Sequence, residues 1–365
     1  MNEHKYIGWD AHKKYSLYAE LDEQGAVSCY QRVEHDREKV REALARLAVG
    51  SRIALEAGGS YYWLVEEMEK AGHQPQLTNP LEARRRMGDR KKTDKMDAKM
   101  LAQLLRAELL PVVWIPPGPL RDQREMLRLR MFLVHRRTSQ KNRVQGMLQQ
   151  YNLVVAGVKD VFSQEGQRQV LERLKELPEQ TRQSMKWQLE MVEELERRIA
   201  EIQQRIEAMF EQSAEAKLLD DLPGVAKLLS LVMAYEIGDV NRFASAGHLS
   251  SYAGLVPRVN SSGGKTRLQG VSTEINHYLK WAYVEAANAV VAQQRRWQWR
   301  YVVQLYQKVT RKKNHAKAVI AVAHHLAESS WWMLKKKEGY REPRMTVCST
   351  QGKRGLPLAE LRPLV

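Results

Sequence analysis

Along the first hundred residues the apolar positions switch between a period of two and a period near 3.6, which predicts strands and helices in alternation. Residues 5–9, 15–21 and 27–33 predict three strands, the last two joined by a turn at Glu23, Gln24 and Gly25. Residues 37–47 then predict an amphipathic helix and 52–55 a brief apolar strand. Ser60 is expected to cap a helix that runs to Ala71, with Gly72 just past its end. Residues 76–79 predict a last strand and 92–109 a closing helix.

Beyond residue 110 the pattern becomes helical. Pro116, Pro117, Gly118 and Pro119 mark a linker before a very basic helix expected over 121–151. Between Met185 and Phe210, Val192, Ile199 and Ile206 recur every seven residues, as do Leu195, Ile202 and Met209. That is coiled-coil patterning, and it predicts an antiparallel helical hairpin or a dimer seam. Residues 218–337 read as helical apart from a Gly- and Ser-rich interruption over 259–270, and 338–365 lack periodicity, as a tail would. The expected class is α/β followed by all-α. The expected domains are 1–112, a mixed sheet with helices; 113–215, basic helix and coiled coil; 216–337, a helical domain; and 338–365, a tail.

Charge narrows the partners. Fifty-nine Lys and Arg stand against 43 Asp and Glu, a formal net charge of +16, which points to a polyanion such as nucleic acid. The longest apolar stretches, such as 228–235, fall far short of the roughly 20 residues that a membrane span needs. No secretory signal opens the chain, and Cys29 and Cys348 are the only cysteines, so the expected location is cytoplasmic. The ten histidines include no pair at the i, i+4 spacing of a helical zinc site, so a metal here is expected on carboxylates.

Four acids fit such a site. Asp10 and Glu56 each follow an apolar strand stretch, and Asp94 and Asp97 are three apart, on one face of a helix. Carboxylates converging from several elements can hold the divalent ions that assist phosphodiester cleavage, and Mg2+ (or Mn2+) favours oxygen ligands. The plainer alternative makes Asp94 a helix N-cap, Asp97 a first-turn acid and Asp10 a turn opener. The order of elements, three strands, helix, strand, helix, strand, helix, resembles the ribonuclease H and RuvC group of nucleases. In that fold acids stand at these three places.

Arg84, Arg85, Arg86, Arg90, Lys91 and Lys92 cluster just before the acidic pair, and the 121–151 helix carries Arg128, Arg136 and Arg137 among its cations. Both are expected to meet nucleic-acid backbone. Arg258, Lys265 and Arg267 surround Ser261 and Ser262 in the glycine-rich interruption, where a turn alone would also explain the composition. Leu222-Pro223-Gly224-Val225 reads either as a phosphate-contacting helix-hairpin-helix turn or as a plain connection. Trp297 and Trp299, like Trp331 and Trp332, are expected to place at least one of each pair in the core.

Tyr6-Ile7-Gly8-Trp9-Asp10, Leu55-Glu56-Ala57, Lys92-Thr93-Asp94-Lys95-Met96-Asp97-Ala98, Leu222-Pro223-Gly224-Val225, and Ala253-Gly254-Leu255-Val256-Pro257 with Ser262-Gly263 stand in the order found in one family. Together they resemble the transposases of the insertion sequence 110 family, relatives of the Piv DNA invertases. The resemblance implies a RuvC-like domain whose DEDD metal site is Asp10, Glu56, Asp94 and Asp97. It also implies a coiled coil and a transposase domain whose serine nucleophile is Ser262, with Ser261 the neighbouring alternative. It further implies a covalent phosphoserine intermediate, dimers assembling to a tetramer, and a bridge RNA that pairs with donor and target DNA. Two other readings stay open: a RuvC-like hydrolytic DNA junction endonuclease, and a non-catalytic RNA-binding protein whose acids are caps.

Overall fold

The computed structural model describes residues 6–88, 93–153, 157–262, 265–268 and 270–343, and the chain divides into two compact units, Met1–Pro117 and Gly118–Val365. Lys91, Lys92 and Arg90 lie outside the described residues, as do the tail positions 344–365.

In the first unit, β1 (Tyr6–Ala11), β2 (Tyr15–Leu21) and β3 (Val27–Glu34) form an antiparallel meander. After α1 (Arg37–Ala45), β4 (Arg52–Glu56) pairs parallel with β1. After α2 (Tyr61–Lys70), β5 (Gln74–Thr78) pairs parallel with β4. Two elements escaped the pattern reading, α3 (Pro80–Met87) and the two-residue β6 (Val112–Val113), and α4 (Asp94–Arg106) lies between them. The sheet order is β3-β2-β1-β4-β5-β6. Ser60 takes the N-cap position of α2 but makes no side-chain cap hydrogen bond.

The alternation of β1 sorts its residues between two layers. Ile7 and Trp9, fully buried, join Ile53 and Leu55 of β4 against α1 and α2. The intervening Gly8 faces α4, where a Cβ would stand 1.9 Å from the Ala98 carbonyl oxygen and 2.5 Å from the Ala102 nitrogen. Only glycine lets helix backbone rest directly on strand backbone there. Asp10 is two residues further along the same face.

Between α1 and α2, Arg41 Nε donates to Glu67 Oε2 at 2.6 Å and Arg37 Nη1 to Glu67 Oε1 at 2.5 Å. The Arg41 hydrogen bond, reinforced by Arg37, brings the buried Glu67 carboxyl from 4.5 down to about 2. A depressed carboxylate stabilises the fold above its unfolded-state value, and that contribution disappears as pH falls through the folded value. Glu67→Gln is therefore expected to lower the urea midpoint of this unit at pH 6, with the deficit closing between pH 4.5 and about 2. A deficit independent of pH would contradict the pairing.

The second unit is helical. α5 (Gly118–Gln150) runs antiparallel to α7 (Glu179–Gln212), with α6 (Gln164–Arg173) near the tip. Val192, Ile199, Ile202 and Ile206 of the heptad pattern are buried, and Arg130 to Gln203 (3.0 Å) and Lys141 to Glu196 (2.6 Å) fix the register. The seam thus packs on α5 of the same chain. α8 (Ala214–Leu219), α9 (Lys227–Ile237), α10 (Ala246–Tyr252), α11 (His277–Ala292), α12 (Tyr301–Thr310) and α13 (His315–Lys336) share one core. The Leu222–Val225 turn joins α8 to α9, and Gly224, at φ +77°, presses on α11: a Cβ would meet the Ala286 carbonyl oxygen at 2.3 Å.

Trp331 is buried and Trp332 exposed, while Trp297 packs on the core and Trp299 is exposed, so each tryptophan pair is split. The start of the expected tail is tied down, because Tyr340 N donates to Asp221 Oδ2 at 2.7 Å and Glu342 Oε2 accepts from Tyr301 N at 3.0 Å.

Candidate metal centre and nucleic-acid contacts

Helix α4 begins with Thr93, whose hydroxyl accepts from Met96 N at 3.2 Å. Thr93 is the N-cap, so the capping role considered for Asp94 belongs to its neighbour, and Asp94 stands at the first helical position with its side chain turned to the sheet. Asp94 Oδ2 accepts from the Tyr15 hydroxyl at 2.9 Å and lies 3.2 Å from His12 Nε2. The same His12 nitrogen is 3.1 Å from Asp10 Oδ2. Asp10, His12 and Asp94 thus offer three donor atoms within 4.8 Å of one another.

Two of the four expected acids are brought together in this way. Glu56 ends β4 beside β1, and alternation puts it on the same sheet face as Ala54 and Gly8. Asp97 lies one turn into α4. Both are half-buried and flank the cluster, but neither joins the group of atoms within 4.8 Å.

The electrostatics favour a charged Asp94. The Tyr15 hydrogen bond, with His12 beside it, holds its carboxyl below the ordinary range, and the same bond to Asp94 pushes the Tyr15 hydroxyl up. Alongside lies an open pocket of about 540 Å³, lined by Tyr15, Leu17, Arg32, Thr93, Asp94 and Lys95. The Arg32 guanidinium sits 3.7 Å from the centre of the Tyr15 ring. Pattern reading missed His12, Tyr15 and Arg32. The available signal was position: His12 and Tyr15 bracket the turn that follows Asp10, with His12 N donating to Tyr15 O at 2.9 Å.

The cations expected on nucleic acid fall into different settings. Arg84, Arg85 and Arg86 are exposed on α3, Arg85 pairing with Glu82 and Arg86 donating to the Leu109 carbonyl. On α5, Arg136 is exposed over the Phe132 ring, and Arg137 is half-buried. Arg128 is committed inward, with its Nε and Nη2 each donating at 2.8 Å to the carboxylate of buried Glu236. Arg258 donates to Ser272 Oγ at 2.6 Å and so closes the base of a hairpin, β7 (Val259–Ser262) with β8 (Lys265–Leu268). In its register Ser262 stands opposite Lys265, Ser261 opposite Thr266 and Asn260 opposite Arg267.

Two family models match this chain. One, described as a transposase and carrying the DEDD label of the IS110 group, spans residues 7–153; the other, Transposase IS116/IS110/IS902 family, spans 216–304. The chain belongs to the insertion sequence 110 family of transposases. Among its relatives, the transposase for insertion sequence element IS1111A of Coxiella burnetii is 26% identical over 93% of this chain and 92% of its own length. The transposase for insertion sequence element IS1328 of Yersinia enterocolitica is 23% identical over 76% of this chain and 82% of its own. The pilin gene-inverting protein of Moraxella bovis is 28% identical over 58% of each chain. The family makes the chain a DNA-processing transposase or recombinase, and DNA its substrate. Among the described residues no helix of this transposase is long and apolar enough to cross a membrane.

Proposed function

We propose that this transposase cuts and rejoins DNA through a covalent bond between Ser262 and a DNA phosphate, assisted by a divalent ion at Asp10, Glu56, Asp94 and Asp97. The observation that carries the metal half is the convergence of Asp10 from β1 and Asp94 from α4, with a third donor, within 4.8 Å. That donor set fits a divalent cation, and Mg2+ or Mn2+ would supply charge stabilisation for the transferring phosphoryl group. Asp10 and Asp94 would hold the ion, Glu56 and Asp97 would extend the carboxylate surface beside it, and Arg32 and Lys95 would present cations to the incoming phosphate.

In the cleavage step the Ser262 Oγ–phosphorus bond forms and a phosphorus–oxygen bond to the sugar breaks, the leaving oxygen taking up the serine proton. Rejoining runs the same exchange in reverse, with a different strand end attacking. The family resemblance supports a bridge RNA that pairs with donor and target DNA, and a tetramer in which serine and acids of one active site come from different subunits. The net charge of +16 suits a protein that grips backbones while base pairing reads sequence.

The test is a denaturing gel of labelled DNA cleaved in the presence of the guide RNA. Wild type is expected to give a protein–DNA adduct, Ser261→Ala to keep it, and Ser262→Ala and Asp10→Asn to lose it. Strand cleavage by wild type without any adduct would overturn the serine mechanism in favour of a hydrolytic junction endonuclease.

A further inference from the structure

We propose that His12 is a direct nitrogen ligand of the divalent ion, and that the centre therefore prefers Mn2+ to Mg2+; this rests on the metal reading above. His12 Nε2 lies 3.1 Å from Asp10 Oδ2 and 3.2 Å from Asp94 Oδ2. Ligands bound to one ion at about 2.1 Å stand about 3.0 Å apart along an octahedral edge. His12 Nε2 already stands at nearly that spacing from both carboxylate oxygens, and all three donor atoms lie within 4.8 Å of one another, within reach of a single ion.

The imidazole is held for this purpose by its own turn. His12 N donates to Tyr15 O at 2.9 Å, and the two rings pack with centroids 4.8 Å apart. The Tyr15 hydroxyl in turn fixes the Asp94 carboxylate at 2.9 Å. Metal-binding carboxylates are commonly oriented by such an outer hydrogen bond, which sets the direction of the remaining lone pairs. Tyr15 is thus a positioning residue, acting through Asp94.

The donor set decides the metal. Mg2+ takes oxygen ligands almost exclusively and keeps several waters, whereas imidazole suits first-row transition ions. Replacing one oxygen by His12 Nε2 tilts the centre toward Mn2+, which accepts both donor types. The carboxylates alone would not make that distinction.

Pulsed electron paramagnetic resonance on the full-length protein with bound Mn2+ tests the assignment without any turnover. Wild type is expected to show 14N modulation from a coordinated imidazole, and His12→Ala and His12→Gln to lose it. In both variants Mn2+ affinity should fall about ten-fold or more, and the excess of Mg2+ needed to displace half the Mn2+ should fall with it. Mn2+ bound by wild type without 14N modulation, or modulation that survives both substitutions, would overturn the role of His12 and leave the carboxylate centre standing. Mn2+ that fails to bind wild type, or binds Asp10→Asn as tightly, would instead remove the metal centre and this inference with it.

Discussion

Gly8→Ala is expected to cut DNA strand cleavage by on the order of 100-fold while the chain remains folded. The new Cβ would meet the Ala98 carbonyl oxygen at 1.9 Å and the Ala102 nitrogen at 2.5 Å, and both are helix backbone with no rotamer to escape into. Helix α4 must lift from β1 by about 1 Å or more to restore van der Waals contact. Asp94 and Asp97 travel with α4 and Asp10 stays on β1, so the donors separate. Overpacking of this kind costs about 1–3 kcal/mol of stability. Gly146→Ala is the matched control, since nothing lies within 4 Å of its Cβ. It is expected to gain stability by about 0.5–1 kcal/mol, alanine being the better helix former. Single-turnover cleavage read beside urea unfolding checks both, and a Gly8→Ala protein that cleaves at the wild-type rate would sink the packing argument.

The second large effect is expected at Glu236. This buried carboxylate accepts from Arg128 at both oxygens and from Asn276 Nδ2 at 2.8 Å, and Arg124 Nε lies 3.7 Å away. It ties α5, α9 and the start of α11 together. Removing one partner of a buried pair leaves the other charge uncompensated, at a cost of about 3–5 kcal/mol. Glu236→Leu should therefore lower the unfolding free energy of the second unit by about that amount, read as a fall in its denaturation midpoint. A double substitution, Glu236→Leu with Arg128→Met, should recover part of the loss, because no charge of that pair is then stranded. Equal midpoints for wild type and Glu236→Leu would show that the pair contributes nothing.

These features differ in how far the sequence discloses them. The meander and the two parallel strands were legible because short apolar or alternating runs are separated by turn residues such as Asp22, Gly25, Gly50 and Gly72, and observed bounds differ from expected ones by at most two residues. Helix α3 was missed because Arg84, Arg85 and Arg86 were weighed as a charge cluster that meets nucleic-acid backbone, although Asn79 followed by Pro80 is an N-cap with proline at the first helical position. The β7–β8 hairpin was read as a flexible turn, although two glycines between four-residue runs signal a hairpin.

In the cluster, Asp10 and Asp94 were legible from their strand and helix positions, whereas His12 was not. A lone histidine carries no ligand spacing of its own, and this one meets its partners only after α4 packs on the sheet and brings residue 94 beside residue 10. Arg128 shows the same limit from the other side. Its cationic character is plain in the sequence, but its partner Glu236 is 108 residues away, and only the packed helices reveal where that charge goes.

The α5–α7 hairpin has one more implication. Its first arm has 33 residues, about 50 Å of helix, comparable to about fifteen base pairs of duplex at 3.4 Å each. Its register is locked at both Arg130–Gln203 and Lys141–Glu196. The arm is consequently graduated in heptads: its length can change without loss of that register only by adding or removing matched seven-residue steps from both helices, about 10 Å at a time.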